Sequence, residues 1–150
     1  MIEEAERIII NLPATPEYVD IVRLNLYGVA SKMGFSYEQI EDMKVAVSEA
    51  CNNSVLYAYK QEAGMMEVTF EVLTDALSIT VRDEGESFEP WGRPGNRVSL
   101  HDKELSEVTV GGLGFYLMQA LMDDVIVESE IGHGTKVTML RRIQKSEEKV

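Results

Sequence analysis

The sequence predicts an α+β fold, a two-layer sandwich of helices on a mixed, largely antiparallel sheet. Three observations carry that expectation. Residues 16–59 hold two stretches of helical spacing, and residues 66–82 change to a period of two. The chain order also reads strand, two helices, two strands, long loop, helix, two strands. Such an order segregates helices to one face of a sheet whose strands are joined by hairpins.

The elements follow in turn. Arg7 to Leu12 is rich in isoleucine and reads as a first strand stopped by Pro13. Pro16 stands where a helix begins, with Thr15 placed to cap it, and helical spacing runs from Glu17 to Met33 before Gly34. A second helix spans about Ser36 to Tyr59, opened by Ser36 and Gln39 as a capping box. Met66, Val68, Phe70 and Val72 then alternate with polar residues, as do Leu77, Ile79 and Val81 after a turn near Asp75. That pattern is a hairpin with one buried face. Between Asp83 and Gly111 periodicity is lost and Pro90 and Pro94 interrupt the chain; so long a stretch without an element is usually functional or mobile. Phe115 to Met122 reads as a helix, and Val125 to Ile131 with Thr135 to Leu140 as a closing hairpin across Gly132 and Gly134. Residues 141–150 form a polar tail, and residues 1–150 make a single domain.

Composition excludes several classes of function. The 150 residues are 45% hydrophobic and 27% charged, a soluble globular mix. A net charge of −12 argues against direct nucleic-acid binding, which needs a basic footprint. No apolar run approaches the ~20 residues of a membrane span, and the acidic start is unlike a signal peptide, so a cytoplasmic location is expected. Cys51 has no partner for a disulfide, and with only His101 and His133 a Cys/His zinc site is not expected. An acidic chain can still bind nucleotides, through backbone amides, helix N-termini and a divalent cation.

The candidate site comes from register. On the second helix Ile40, Met43, Val47, Ala50, Cys51, Ser54 and Ala58 form one core stripe, with Cys51 a small buried side chain. The other face carries Val45, Glu49, Asn52, Asn53 and Leu56 where lysines and glutamates would be ordinary. Glu49 and Asn53 are neighbours four residues apart. A carboxylate there can take a proton and an amide oxygen can ligate Mg²⁺, although a solvated surface pair fits the spacing equally. Counting by twos from Leu77 brings Asp83 to the inner face at a strand end, either leaving the sheet or aimed at an amino-bearing ligand such as adenine. Thr135 shares the inward register of Val137 and Met139. Gly112 and Gly114 precede a helix, where glycine lets backbone approach an anion. No GxxxxGK[ST], HRD or DFG is present, which excludes P-loop and eukaryotic-type kinase sites. Each residue alone has an ordinary structural explanation; together the two inward strand positions and the polar helix face can meet in one cavity.

These pieces resemble a known pattern. The segment from Val47 to Asn53 resembles the N-box of the GHKL ATPase and kinase superfamily, Asp83-x-Gly85 its first glycine box, Gly112-x-Gly114 its second, and Gly132-x-Gly134-Thr135 its last. The stretches PEYVDIVRLNLYGVASKMGF, EDMKVAVSEACNNSV and GGLGFYLMQALMDDV are most similar to the bacterial anti-sigma-factor serine kinases. The resemblance implies a Bergerat-type ATP-binding fold and an ATP- and Mg²⁺-dependent protein-serine kinase. Glu49 would be its general base, Asn53 its Mg²⁺ ligand, and Asp83 the acceptor for the adenine amine with Thr135 assisting. Gly85, Gly112 and Gly114 would let a lid at 84–110 fold over the phosphates. The implied partners are a sigma factor of the general stress (sigma-B) type and an anti-anti-sigma protein carrying the target serine. A homodimer is also implied, with Arg23 of the first helix as a candidate partner contact, although a snorkelling surface arginine fits that position too. In one departure Glu86 follows Gly85 where many superfamily members have a second glycine. An ATP-dependent binding switch with little turnover, and a plain ATPase, are the competing readings.

Overall fold

A computed structural model describes residues 6–55, 64–85, 97–99, 112–130 and 134–143. In chain order these form β1 (Glu6–Pro13), α1 (Pro16–Met33), α2 (Tyr37–Asn53), β2 (Met65–Val72), β3 (Ala76–Asp83), β4 (Arg97–Ser99), α3 (Gly112–Leu121), β5 (Asp124–Glu130) and β6 (Gly134–Arg142). The strands make one six-stranded sheet in the order β1-β2-β3-β6-β5-β4. All five pairings are antiparallel. Helices α1, α2 and α3 pack on one face, the α+β sandwich the sequence predicts.

Helix α1 buries Val19, Val22, Leu26 and Ala30, one stripe at helical spacing. It ends at Gly34, whose φ of 98° is a left-handed conformation that glycine adopts without strain, and whose N–H donates to the Ala30 and Ser31 carbonyls. At its start, Thr15 departs from expectation. Its hydroxyl makes no capping bond and Oγ1 is buried without a partner among the described residues, while its carbonyl accepts from the Tyr18 amide at 3.1 Å. Pro16 in the first turn supplies the helical φ instead, so the hydroxyl is not needed to start the helix.

The capping box of α2 is present in both directions: Gln39 N donates to Ser36 Oγ at 3.1 Å and Ser36 N donates to Gln39 Oε1 at 2.9 Å. The α-helix closes at Asn53 and widens into a π-type turn at Ser54 and Val55. The remainder of the expected helix, 56–63, lies outside the described residues. The core stripe read from the sequence is buried from Ile40 through Ser54.

On the sheet, inner-face residues meet across strands in rows. Phe70, Ile79, Met139 and Val125 are consecutive Cα partners, as are Val68, Val81, Val137 and Val127, and all are buried. Phe70, Leu26 and Met43 are 0% exposed. Each such side chain contributes about 1.5–3 kcal/mol by leaving water. Strand β4 falls within the loop between Asp83 and Gly111 and pairs with β5 through Arg97, Val98 and Ser99. Three residues are too few to reveal alternation, which is why the sequence does not announce it. Glu86, Pro90, Pro94 and the rest of 84–110 beyond Gly85 and β4 lie outside the described residues, as do Gly132, His133 and the tail from 144.

Candidate active site

One row of the inner face differs from the others. Leu12, Met66, Asp83, Thr135 and Ser129 are successive Cα partners across β1, β2, β3, β6 and β5. The last three are polar, and each is at most 7% exposed. At this end of the sheet the core lining changes from hydrocarbon to hydrogen-bonding groups. Buried polar groups must be satisfied or they destabilise the fold. Here the Asp83 carboxylate receives Ser54 Oγ–H at 2.8 Å on Oδ2 and Gly85 N–H at 3.1 Å on Oδ1, with a further donation from the Thr135 main chain. Burial pushes the Asp83 pKa above its ordinary value, and these three donors pull against that rise. Gly134 makes the close approach of β6 possible. Its φ is +82°, and a Cβ there would lie 2.0 Å from the Asp83 carbonyl oxygen. Ser129 Oγ stands 3.4 Å from Thr135 Oγ1, extending the polar row.

The C-terminal end of α2 lies against this row through Ser54. The preceding residue, Asn53, and Glu49 one turn earlier share a face, as their spacing requires. Helix α3 packs on α2 so closely that a Cβ added at Gly114 would meet Glu49 Oε1 at 2.9 Å and Asn53 Oδ1 at 3.9 Å. The glycine-opened first turn of α3 thus sits over both polar side chains, with Gly112 as its first residue. Asn53 Nδ2 is buried and has no hydrogen-bond partner among the described residues. An orphaned amide beside a helix start suits a site whose last partner is a ligand. No cluster of three or more His, Cys, Asp or Glu side chains suited to a metal occurs among the described residues. Asn53 Oδ1, beside the first turn of α3, could serve a divalent ion together with phosphate oxygens and water, in keeping with the few protein ligands Mg²⁺ commonly takes.

Arg23 lies beside Glu49 and apart from the Asp83 row. Its Nε donates to Ser48 Oγ at 2.8 Å, and Ser48 Oγ in turn donates to the Lys44 carbonyl at 2.6 Å. Arg23 also pairs with Asp20. Arg23 lines an open cleft of about 400 Å³ with Glu41, Lys44, Val45, Ser48, Glu49 and Asn52. Cys51 is 0% exposed with its pKa pushed up to about 12 by burial, an inert core thiol as expected.

The structure therefore gathers Glu49, Asn53 and Gly114 at the α2–α3 contact, and Gly112 opens α3. Asp83, Gly85 and Thr135 meet at the sheet end, and Ser54 joins the two groups. The role of Ser54 is not legible in the sequence, where it counts as one position of a core stripe. A hydroxyl on an otherwise apolar stripe next to Asn53 is the signal that could have marked it. Sequence reasoning misses Ser129 and Ser48 likewise.

Comparison with known proteins identifies the family and the fold. Residues 12–141 match the histidine kinase-like ATPase domain. The chain is 46% identical over 136 residues to the serine-protein kinase RsbW of Bacillus subtilis, covering 88% of this chain and 84% of that one. It is 43% identical over 153 residues to RsbW of Bacillus licheniformis, covering 94% and 88%. Its fold is similar to a crystal structure of the RsbU and RsbW domains of a Mycobacterium tuberculosis protein, with TM-score 0.66 and 20% identity over 92% of this chain and 32% of that one. The chain spans about a third of that larger protein and shares its fold there. A family model matching residues 12–141, together with relatives this similar over nearly the whole length, leads to one conclusion: the chain belongs to the histidine kinase-like ATPase family and, within it, to the RsbW serine-protein kinases.

Proposed function

We propose that the chain is an anti-sigma factor and ATP-dependent protein-serine kinase in which Glu49 is the general base. Glu49 takes the proton from a serine hydroxyl of an anti-anti-sigma protein as that oxygen attacks the γ-phosphorus of ATP. A bond forms between serine Oγ and phosphorus, the bond from phosphorus to the β–γ bridging oxygen breaks, and ADP leaves. The position of Gly114 carries this reading: it seats the first turn of α3 directly against Glu49 Oε1 and beside Asn53 Oδ1, so that the amides of a helix start and a base lie together. Asp83 accepts from the adenine amine, with Thr135 beside it, and Gly85 holds Asp83 through its amide. Asn53 is the protein ligand for Mg²⁺, which when bound supplies charge neutralisation at the phosphates.

The cleft holding Arg23 opens next to Glu49, on the side from which a protein serine would enter. Arg23 is fixed by Ser48, and α1 exposes Ile21, Leu24 and Tyr27 nearby in sequence, Leu24 at 68%. A charged anchor amid exposed apolar side chains favours a protein contact. A sigma factor of the sigma-B type and the unphosphorylated antagonist compete for this chain, which works as a cytoplasmic homodimer. Among the described residues no helix is long and apolar enough to cross a membrane. The test is Glu49→Gln, incubated with Mg-ATP and the anti-anti-sigma substrate. Phosphoserine formation should fall by a factor on the order of 10²–10⁴ with ATP binding retained. Transfer at the wild-type rate would remove Glu49 from the role of base.

A further inference from the structure

We propose that Ser54 sets the base selectivity of the nucleotide site, by holding the Asp83 carboxylate in the orientation that accepts a hydrogen bond from a 6-amino purine. This rests on Asp83 being the group that meets the base. Ser54 is a positioning residue: it acts on the ligand through Asp83.

The bonding of Ser54 is unusual for a helical serine. A serine within a helix commonly turns its hydroxyl back to the carbonyl four residues earlier, as Ser48 does with Lys44 at 2.6 Å. Ser54, 3% exposed, instead donates across the core to Asp83 Oδ2 at 2.8 Å. It does so from the π-type turn at the end of α2, a distortion frequent at functional sites. Every other described member of its stripe, Ile40, Met43, Val47, Ala50 and Cys51, is a buried apolar side chain. The hydroxyl is therefore directed at one carboxylate oxygen.

An ionised carboxylate offers about four lone-pair sites. Ser54 occupies one on Oδ2, Gly85 N–H one on Oδ1, and the Thr135 main chain supplies a third donor. What remains toward a ligand is an acceptor. Adenine presents an amine there and is bound. Hypoxanthine presents a carbonyl, which meets acceptor against acceptor and gains nothing from Asp83. The Gly85 and Thr135 bonds come from main chain that substitutions at 54 leave in place, so Ser54 is the side-chain control on how the carboxylate turns. Without it Oδ2 loses its anchor, and the adenine bond weakens while inosine nucleotide, which never made that bond, is unaffected.

The experiment measures binding of ATP and of inosine triphosphate by calorimetry in magnesium buffer. It uses the full-length wild-type chain, Ser54→Ala, Ser54→Thr and Asp83→Asn. Wild type should prefer ATP. Ser54→Ala should lose about tenfold in ATP affinity, the scale of one charge-assisted hydrogen bond, with inosine triphosphate affinity unchanged. Ser54→Thr, which keeps the hydroxyl, should restore the ATP preference. Equal weakening of both nucleotides in Ser54→Ala, or an unchanged ratio, overturns the role of Ser54. If Ser54→Ala does not fold, Ser54→Cys keeps the volume with a weak donor and gives the same comparison. Asp83→Asn separates the two levels. A preserved ATP preference in that variant means Asp83 does not read the base; a lost preference there with a retained one in Ser54→Ala removes only Ser54.

Discussion

Replacing Gly114 by alanine tests the contact between α3 and the face of α2 that carries Glu49, the proposed base. The added methyl would stand 2.9 Å from Glu49 Oε1, while Glu49 Cβ at 3.7 Å and Asn53 Oδ1 at 3.9 Å are in ordinary contact range. Gly114 is not among the positive-φ glycines, so alanine strains no backbone. Alanine is also the better helix former, by up to ~1 kcal/mol in a helix interior. The only group that must give is the carboxylate end of Glu49, which has to withdraw by about half an ångström to reach ordinary contact at 3.4 Å. A flexible side chain can do that at little cost in stability. A base in a proton-transfer geometry cannot, because misplacement of about 1 Å can cost on the order of a hundredfold in rate. Gly114→Ala should therefore melt within a few degrees of wild type yet lose roughly ten- to a hundredfold in kcat for serine phosphorylation. The assay is phosphoserine formation at saturating Mg-ATP, alongside a thermal melt. A folded variant with undiminished kcat would refute either the base assignment or the seating of α3 on Glu49 during the reaction.

Two further substitutions probe the sheet end. Gly134→Ala combines a left-handed φ of +82° with a Cβ 2.0 Å from the Asp83 carbonyl oxygen, a backbone atom that cannot step aside. The handedness and overpacking costs together come to about 2–5 kcal/mol, to be read from urea midpoints; a loss below about 1 kcal/mol would contradict the pairing of β6 with Asp83. Asp83→Asn removes a charge that burial disfavours. The folded pKa of Asp83 is raised above 3.8, so the stabilisation from its bound proton is complete below the unfolded pKa and is lost as pH rises through the folded one. As pH rises from about 4 through the raised folded pKa, the wild-type chain should thus lose more stability than Asp83→Asn. Parallel pH profiles for the two chains would show that Asp83 titrates normally.

Much of the fold is legible in the linear order of residues. The period-two runs at Met66–Val72 and Leu77–Val81, the Ile-rich first strand and the Ser36 capping box each depend on interactions a few residues apart, and each lies where its residues place it. Counting registers puts Asp83 and Thr135 on the inner face, and both are 5% exposed. Helical spacing likewise makes neighbours of Glu49 and Asn53. Alternation and helical period are local geometry, so a linear sequence carries them in full.

What the linear order could not supply was adjacency between elements. That β6 inserts between β3 and β5, making Thr135 the Cα partner of Asp83, is a consequence of sheet topology. That Gly114 stands over Glu49 follows from how α3 packs on α2. Strand β4 exists because β5 offers it an edge, not because three residues prefer extension. The Thr15 hydroxyl goes unused because the neighbouring proline already sets the helix start. Ser54 is the sharpest case. Its sequence position says only that it faces the core, and it takes the closure of the helical layer on the sheet to bring its hydroxyl 2.8 Å from a carboxylate 29 residues away. Local periodicity determined which face each residue occupies; long-range packing, which alone decides which faces meet, determined the site.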